Sequence, residues 1–258
     1  MSSRRSAGPL ASIIIPTFNE VETIGLLIKR LEELPLEKEI IVVDDGSTDG
    51  TVEVVRKLMK EYDNLRLLLR ERKMGIGSAY KDGFKLAKGD VIVQMDADMS
   101  HDPGDLPGLL RALRRSDLVI GSRYIPGGRI VNWPLHRRLI SYGANLMARL
   151  LLGLKVHDAT SGFRAYRRSA FEKIVSFCLS SGFDFQVEAV FVASILGLRV
   201  AESPIRFMGR TKGRSKLGLR DILNFIVFLI MLRKRGQVIR ASYNRINGLA
   251  RIRSETQH

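Results

Sequence analysis

Short, continuously apolar runs alternate along the chain with longer segments whose apolar positions recur every three or four residues. Ser12-Ile13-Ile14-Ile15, ended by Pro16, reads as a strand, and Val21 to Leu34 carries Ile24, Leu27, Ile28 and Leu31 at helical spacing. Glu39 to Val43 predicts a second strand. A helix capped by Thr48 or Asp49 then runs to about Tyr62, and Leu65 to Leu69 is a third strand. Ser78 to Ala87 predicts a helix, Asp90 to Met95 a strand, Pro103 the first turn of a helix and Leu118-Val119-Ile120 another strand. The second half is more helical, over about His136 to Leu152, Arg168 to Leu179 and Phe183 to Leu196. A strand from Leu198 to Phe207, a Gly- and Lys/Arg-rich loop from Met208 to Leu219 and a last helix from near Arg220 complete the pattern. Strands that are apolar at every position are buried on both faces. The expected fold is therefore α/β, a Rossmann-like, mostly parallel sheet flanked by helices.

Two of these strands, Ile40-Ile41-Val42-Val43 and Val91-Ile92-Val93-Gln94-Met95, run straight into paired acids. In an open parallel sheet ligands bind beyond the carboxyl ends of the strands, where the topology switches. Asp44, Asp45, Asp96 and Asp98 are thus expected along one edge of one cleft, where they repel one another unless cations or hydrogen-bond donors offset them. Asp44-Asp45-Gly46 reads equally well as a turn. Asp96-Ala97-Asp98 suits a hard divalent ion, Mg²⁺ or Mn²⁺, held by two carboxylates and completed by substrate phosphates. His101 reads as a turn residue, because such ions seldom take imidazole.

Charge sharpens this picture. The net charge is +15, and from Arg199 to His258 there are 14 Lys or Arg against 3 acids, a balance of +11. A tail of that kind favours polyanions: nucleotide phosphates, anionic lipid headgroups or nucleic acid. The run Ile222 to Leu232 is too short to cross a bilayer, and Arg233-Lys234-Arg235 follows it, which suits an interfacial or partner-binding helix. A helix packed on the sheet is the alternative. Trp133 fits either the membrane interface or an ordinary packed position. The polar start of the chain predicts no secretory signal, and a lone Cys178 in an apolar run excludes an internal disulfide.

Six motifs, in order, carry a resemblance. Ile14-Ile15-Pro16-Thr17-Phe18-Asn19-Glu20, Val43-Asp44-Asp45-Gly46-Ser47, Gly75-Ile76-Gly77-Ser78-Ala79 and Asp96-Ala97-Asp98 resemble the inverting family 2 glycosyltransferases of GT-A fold. Gly121-Ser122-Arg123-Tyr124, Asp158 to Arg164 and Arg210 to Lys216 look like the dolichol-phosphate mannosyltransferase branch. The resemblance implies a GT-A catalytic domain over residues 10–219, followed by an interfacial helix and basic tail over 220–258. It implies transfer of mannose from GDP-mannose to dolichyl or another polyprenyl phosphate, with inversion. Pro16, Phe18, Glu20, Val43 and Asp45 would line base and ribose. Asp96 and Asp98 would hold the metal and diphosphate, with the Ala97 backbone nearby. Arg123, Arg210 and Lys216 would meet phosphates of donor or lipid, and Lys212 and Arg214 add charge for the acceptor phosphate. Ser100 stands where some relatives place a further metal ligand, and a water can fill that role. Peripheral attachment to an anionic membrane surface on the cytoplasmic side, with or without a small membrane-anchoring partner, follows from likeness to the shorter members.

The chemistry is coherent without the family. A phosphate acceptor is already anionic near neutral pH and needs no general base. A sugar hydroxyl acceptor would need one, and Asp158 is the best candidate in the sequence. A dinucleotide-binding oxidoreductase fails because Tyr80 occupies the last glycine position after Gly75-Ile76-Gly77. A nucleic-acid-binding protein leaves four strand-end acids unexplained. The nearer rival is a related transferase using another nucleotide-sugar, such as UDP-glucose, or another acceptor.

Overall fold

A computed structural model describes residues 9–209 and 219–255, with the side chains of the last helix from Asp221 to Ile246. Among the described residues nine strands form: β1 (Ala11–Thr17), β2 (Lys38–Asp44), β3 (Leu65–Leu69), β4 (Val91–Gln94), β5 (Leu118–Ser122), β6 (Arg129–Val131), β7 (Arg164–Arg167), β8 (Val200–Pro204) and β9 (Arg206–Met208). Seven of them make one sheet in the order β3-β2-β1-β4-β7-β5-β8, and β6 pairs with β9 in a small second ribbon. Every neighbouring pair in the large sheet is parallel except those of β7, which runs antiparallel to both β4 and β5.

The continuous apolar runs divide their side chains between two cores by the two-residue period of a strand. Ile14, Ile41, Val43, Ile92 and Ile120 face one core, while Ile13, Ile15, Ile40, Val42, Val93 and Val119 face the other. Helices α1 (Ile24–Glu32), α2 (Thr51–Leu58) and α4 (Leu106–Leu113) cover the second face. Helices α3 (Ile76–Leu86), α5 (Leu135–Leu152), α6 (Arg168–Phe177), α7 (Phe185–Ile195) and α8 (Leu219–Glu255) cover the first. On α3, Gly83 lets the helix lie against the sheet, since a Cβ there would meet Ile14 at 2.5 Å and Val43 at 3.1 Å.

Strand β1 lies between β2 and β4, so the crossover direction reverses there and a crevice opens at its carboxyl end. The strands expected from the apolar pattern are present. Pro16 does not end β1, which continues to Thr17 in register with Asp44. The strand expected over Leu198 to Phe207 breaks at Ile205, where the chain leaves the large sheet to pair with β6.

Helix α8 extends over 37 residues, far beyond its apolar run. Its Leu229, Leu232 and Ile239 are buried in the same core as α5 and α7. Among the described residues no helix is long and apolar enough to cross a membrane.

Candidate active site

The two acidic turns at the carboxyl edge have different fates. Asp44 is fully buried and consumed by its own turn: its carboxylate accepts from Thr17 Oγ1 at 2.7 Å, Ser47 Oγ at 2.6 Å and the Ser47 amide at 2.8 Å. Asp45 accepts from Arg70 Nε at 2.6 Å and from the amides of Met74 and Gly75 at 3.1 and 3.3 Å. Arg70 also binds Ser78 Oγ at 2.6 Å, so this pair fixes the loop leading into α3. The expected line of four mutually repelling carboxylates is therefore reduced by local donors to one acidic pair.

That pair is Asp96 and Asp98, on the turn after β4. The turn reverses at Met99, whose φ of 61° is left-handed, and the Ser100 amide donates to Asp98 Oδ1 at 2.9 Å. Tyr80 OH donates to Asp96 Oδ1 at 3.3 Å from α3. Gly162 packs against the same carboxylate, where a Cβ would stand 3.0 Å from Oδ2. His101 is more than a turn residue. Its ring is buried, stacks on Phe163 at 5.3 Å and accepts the Asp96 amide at 3.4 Å through Nδ1. Burial pushes its pKa down against the pull of Asp96 and Asp98, so the ring is neutral scaffolding for the turn.

Arg123 stands directly after β5 and lines the same cavity as the two acids. Its Nε and Nη2 grip the two oxygens of Asp158, each at 2.7 Å, and Nη2 also reaches Thr160 Oγ1 at 2.8 Å. Asn145 of α5 supports Thr160 at 3.0 Å. The guanidinium lies among Tyr124, Trp133 and Phe207, 5.1 to 5.8 Å from their ring centroids. Trp133 thereby packs over Arg123 and Phe207. Asp158 is not available as a base. Burial alone would raise its pKa, but Arg123 outweighs that and holds the carboxyl below its usual range.

Asp96, Asp98, Ser100, Arg123 and Thr160 line a cavity of about 920 Å³. Its other walls come from α5, the start of α7, and α8, where Ile140, Met147, Val187, Ile222 and Phe225 stand among the polar Arg137, Ser141, Asp184, Asp221 and Asn224. Ser100 Oγ is buried with no hydrogen-bond partner among the described residues, beside the two carboxylates. No group of three or more His, Cys, Asp or Glu suited to a metal occurs among the described residues. Any ion held here would therefore take two carboxylates, with the rest of its shell from the Ser100 hydroxyl, water or substrate.

Of the other expected residues, Phe18 is exposed at the rim with Lys73 Nζ 4.4 Å above its ring, and Pro16 and Glu20 are partly buried nearby. Val43 departs from expectation. It is fully buried, with its side chain against Gly83 and its strand paired on both sides. Ala97 is buried under the acidic turn. Arg210, Lys212, Arg214 and Lys216 lie outside the described residues. Sequence reasoning missed Arg70, Tyr80, Asn145 and Thr160, whose roles depend on partners distant in the chain.

Residues 12–175 match the family described as Glycosyl transferase family 2. The chain belongs to that family. This family 2 transferase is 45% identical over 208 residues to an undecaprenyl-phosphate mannosyltransferase from Micrococcus luteus, covering 79% of the chain and 86% of that protein. It is 42% identical over 235 residues to a polyprenol monophosphomannose synthase from Mycolicibacterium smegmatis, covering 89% of each. Its fold is similar to that of glucosyl-3-phosphoglycerate synthase from Mycobacterium tuberculosis in complex with Mn²⁺, UDP and glucosyl-3-phosphoglycerate. The TM-score is 0.64 at 22% identity, over 88% of this chain and 80% of that one. The transferase thus has the GT-A fold, a mostly parallel sheet flanked by helices.

Proposed function

We propose that the chain transfers mannose from GDP-mannose to a polyprenyl phosphate, with inversion at the anomeric carbon. The observation that carries this reading is a single cavity in which Asp96, Asp98 and Arg123 meet apolar side chains of α5, α7 and α8. A phosphate joined to a long hydrocarbon needs both kinds of contact. The names of the two mannosyltransferase relatives support the acceptor class and the sugar.

In this reading Asp96 and Asp98 hold Mg²⁺ or Mn²⁺, with Ser100 contributing directly or through water. The ion supplies charge neutralisation for the donor diphosphate as it leaves. Arg123, immobilised by Asp158, meets phosphate oxygen in the cavity as a preorganised cation. Arg210, Lys212, Arg214 and Lys216 add positive charge for donor and acceptor. The acceptor phosphate oxygen attacks the anomeric carbon opposite the diphosphate, forming the new C–O bond as the bond to GDP breaks. No side chain need remove a proton, in keeping with Asp158 being locked as a counter-ion.

A single assay tests the donor. Purified protein with polyprenyl phosphate and Mg²⁺ or Mn²⁺ is expected to form labelled lipid from GDP-mannose and not from UDP-glucose. Product from UDP-glucose alone would favour the related-transferase reading.

The same reading places the protein peripherally on an anionic membrane. Leu135, Leu139, Tyr142, Leu146 and Leu150 form an exposed apolar stripe along α5, and Leu223, Val227 and Ile230 form one on α8. Exposed Arg233, Lys234 and Arg240 flank them. Flotation with phosphatidylglycerol vesicles is expected to carry the protein, less so as NaCl rises. Each of Leu139→Ser and Leu146→Ser is expected to weaken binding roughly tenfold, for about 1.5 kcal/mol of burial lost. Flotation unchanged by both substitutions together would point instead to a protein anchor.

A further inference from the structure

The membrane-facing helix and the loop that walls the donor side of the crevice are joined by one continuous set of polar contacts. On α8, Met231 and Val238 face outward and are exposed, while Leu232 and Ile239 are buried. The helix comes closest to α7 at Gly236, where a Cβ would meet the Phe191 ring at 2.8 Å. Beside that point the Arg235 guanidinium turns inward and donates to the Glu188 carboxylate and the Phe177 carbonyl. Glu188 is buried and accepts the amides of Leu179 and Ser180 at 3.0 and 2.7 Å. Lys81 of α3 holds the same segment from the other side, donating to the carbonyls of Cys178 and Ser180 at 2.8 and 3.1 Å.

The next residue connects that segment to the donor side. The Ser181 carbonyl accepts the Ser78 amide at 3.1 Å and lies where a Cβ on Gly75 would approach to 2.5 Å. Gly75 has a φ of +95°, and with Met74 it gives its amide to Asp45. The shape of the 70–78 loop, and with it the seat of Asp45 and Arg70, is thus set by the segment after α6. Glu188 and Lys81 fix that segment, and Arg235 fixes Glu188 to α8.

We propose that Arg235 is a positioning residue for donor binding, linking the seating of α8 to the geometry of the 70–78 loop through Glu188. This rests on the proposed function, in which the nucleotide lies along the edge carrying Phe18, Asp45 and the α3 N-terminus. An ion pair serving stability alone would change folding but not the balance between the two substrates. Arg233 and Lys234 beside it are exposed, and Arg233 donates to the Leu151 carbonyl of α5, whereas Arg235 turns to Glu188.

The experiment uses the full chain with anionic vesicles. Isothermal titration gives the Kd for GDP and for UDP, and steady-state assays give KM for donor and for polyprenyl phosphate. Arg235→Ala is expected to raise the nucleotide Kd and donor KM about five- to tenfold, with kcat and acceptor KM within about twofold. Arg235→Lys, which keeps the charge, is expected to recover most of the loss. Lys81→Met should reproduce the donor defect without touching α8, and it decides the matter if Arg235→Ala does not fold. A wild-type chain that binds neither GDP nor UDP removes the functional reading and this inference with it. Wild-type binding that Arg235→Ala and Lys81→Met leave unchanged overturns this inference alone. So does a parallel rise in both KM values.

Discussion

Asp98→Asn is expected to lower turnover by roughly a thousandfold while leaving the fold intact. The substitution keeps an oxygen to accept the Ser100 amide, now 2.9 Å from Asp98 Oδ1, so the reversed turn at Met99 should survive. What it removes is one of two negative charges available to a divalent ion. Withdrawing such charge stabilisation from a diphosphate leaving group costs about 4 kcal/mol of transition-state energy. Asp98→Ala should lose as much activity, with about 1 kcal/mol of stability besides, for the lost hydrogen bond. Excess EDTA should silence the wild type, and Mg²⁺ or Mn²⁺ should restore it. Full activity of either variant, or of the wild type in EDTA, would remove the metal from the mechanism.

The second large effect is on stability as well as on catalysis. Arg123→Ala leaves Asp158 fully buried with its counter-ion gone. Breaking a buried pair from one side costs about 3–5 kcal/mol, readable as a fall in the urea midpoint. Arg123→Ala combined with Asp158→Asn removes the stranded charge and keeps an acceptor for the Arg123 amide, 3.0 Å from Asp158 in the native protein. Most of the stability should return, but not the activity, since Arg123 is still missing beside Asp96 and Asp98.

The pH dependence separates the two proteins. In the wild type the folded Asp158 pKa is depressed. The pair's contribution is therefore complete above the unfolded value of about 3.9 and is lost as pH falls through the folded one. In Arg123→Ala, burial without the arginine raises the carboxyl, and stability should instead decline as pH rises above about 3.9. Parallel pH profiles for the two would show that Arg123 is not the counter-ion.

Much of the sheet could be read from the sequence because β1, β2, β4 and β5 carry unbroken apolar runs, and the acids directly after two of them mark the ligand edge. The strand that completes the sheet could not. β7 reads Arg-Ala-Tyr-Arg, with no apolar run to announce it. Its Arg164 is fully buried because the carbonyls of Ala159, Ser161 and Gln186 accept from its guanidinium at 2.7 to 2.8 Å. Those acceptors are supplied by the fold, so burial of this arginine has no local signature.

The same limit explains Asp158 and Asp45. A carboxylate's chemistry depends on its cation, and Arg123 and Arg70 lie 35 and 25 residues away in the chain. Arg70 sits at the end of a strand that was recognised, but nothing local ties it to Asp45. For α8, the sequence pattern located its start and its apolar segment, but not its extension to Glu255.

The reversed strand also constrains how the protein is made. β4 and β5 are not neighbours, and the strand that joins them is the later-made β7. In chain order Asp96, Asp98 and Arg123 all precede α5, whereas the strand that pairs with both β4 and β5 follows it. The loop bearing Asp158 to Gly162 arrives only with β7. The bridge between β4 and β5, the counter-ion of Arg123 and the backing of Asp96 are therefore all supplied by the one segment from Asp158 to Arg167, and the α7 and α8 walls of the cavity follow it in the chain.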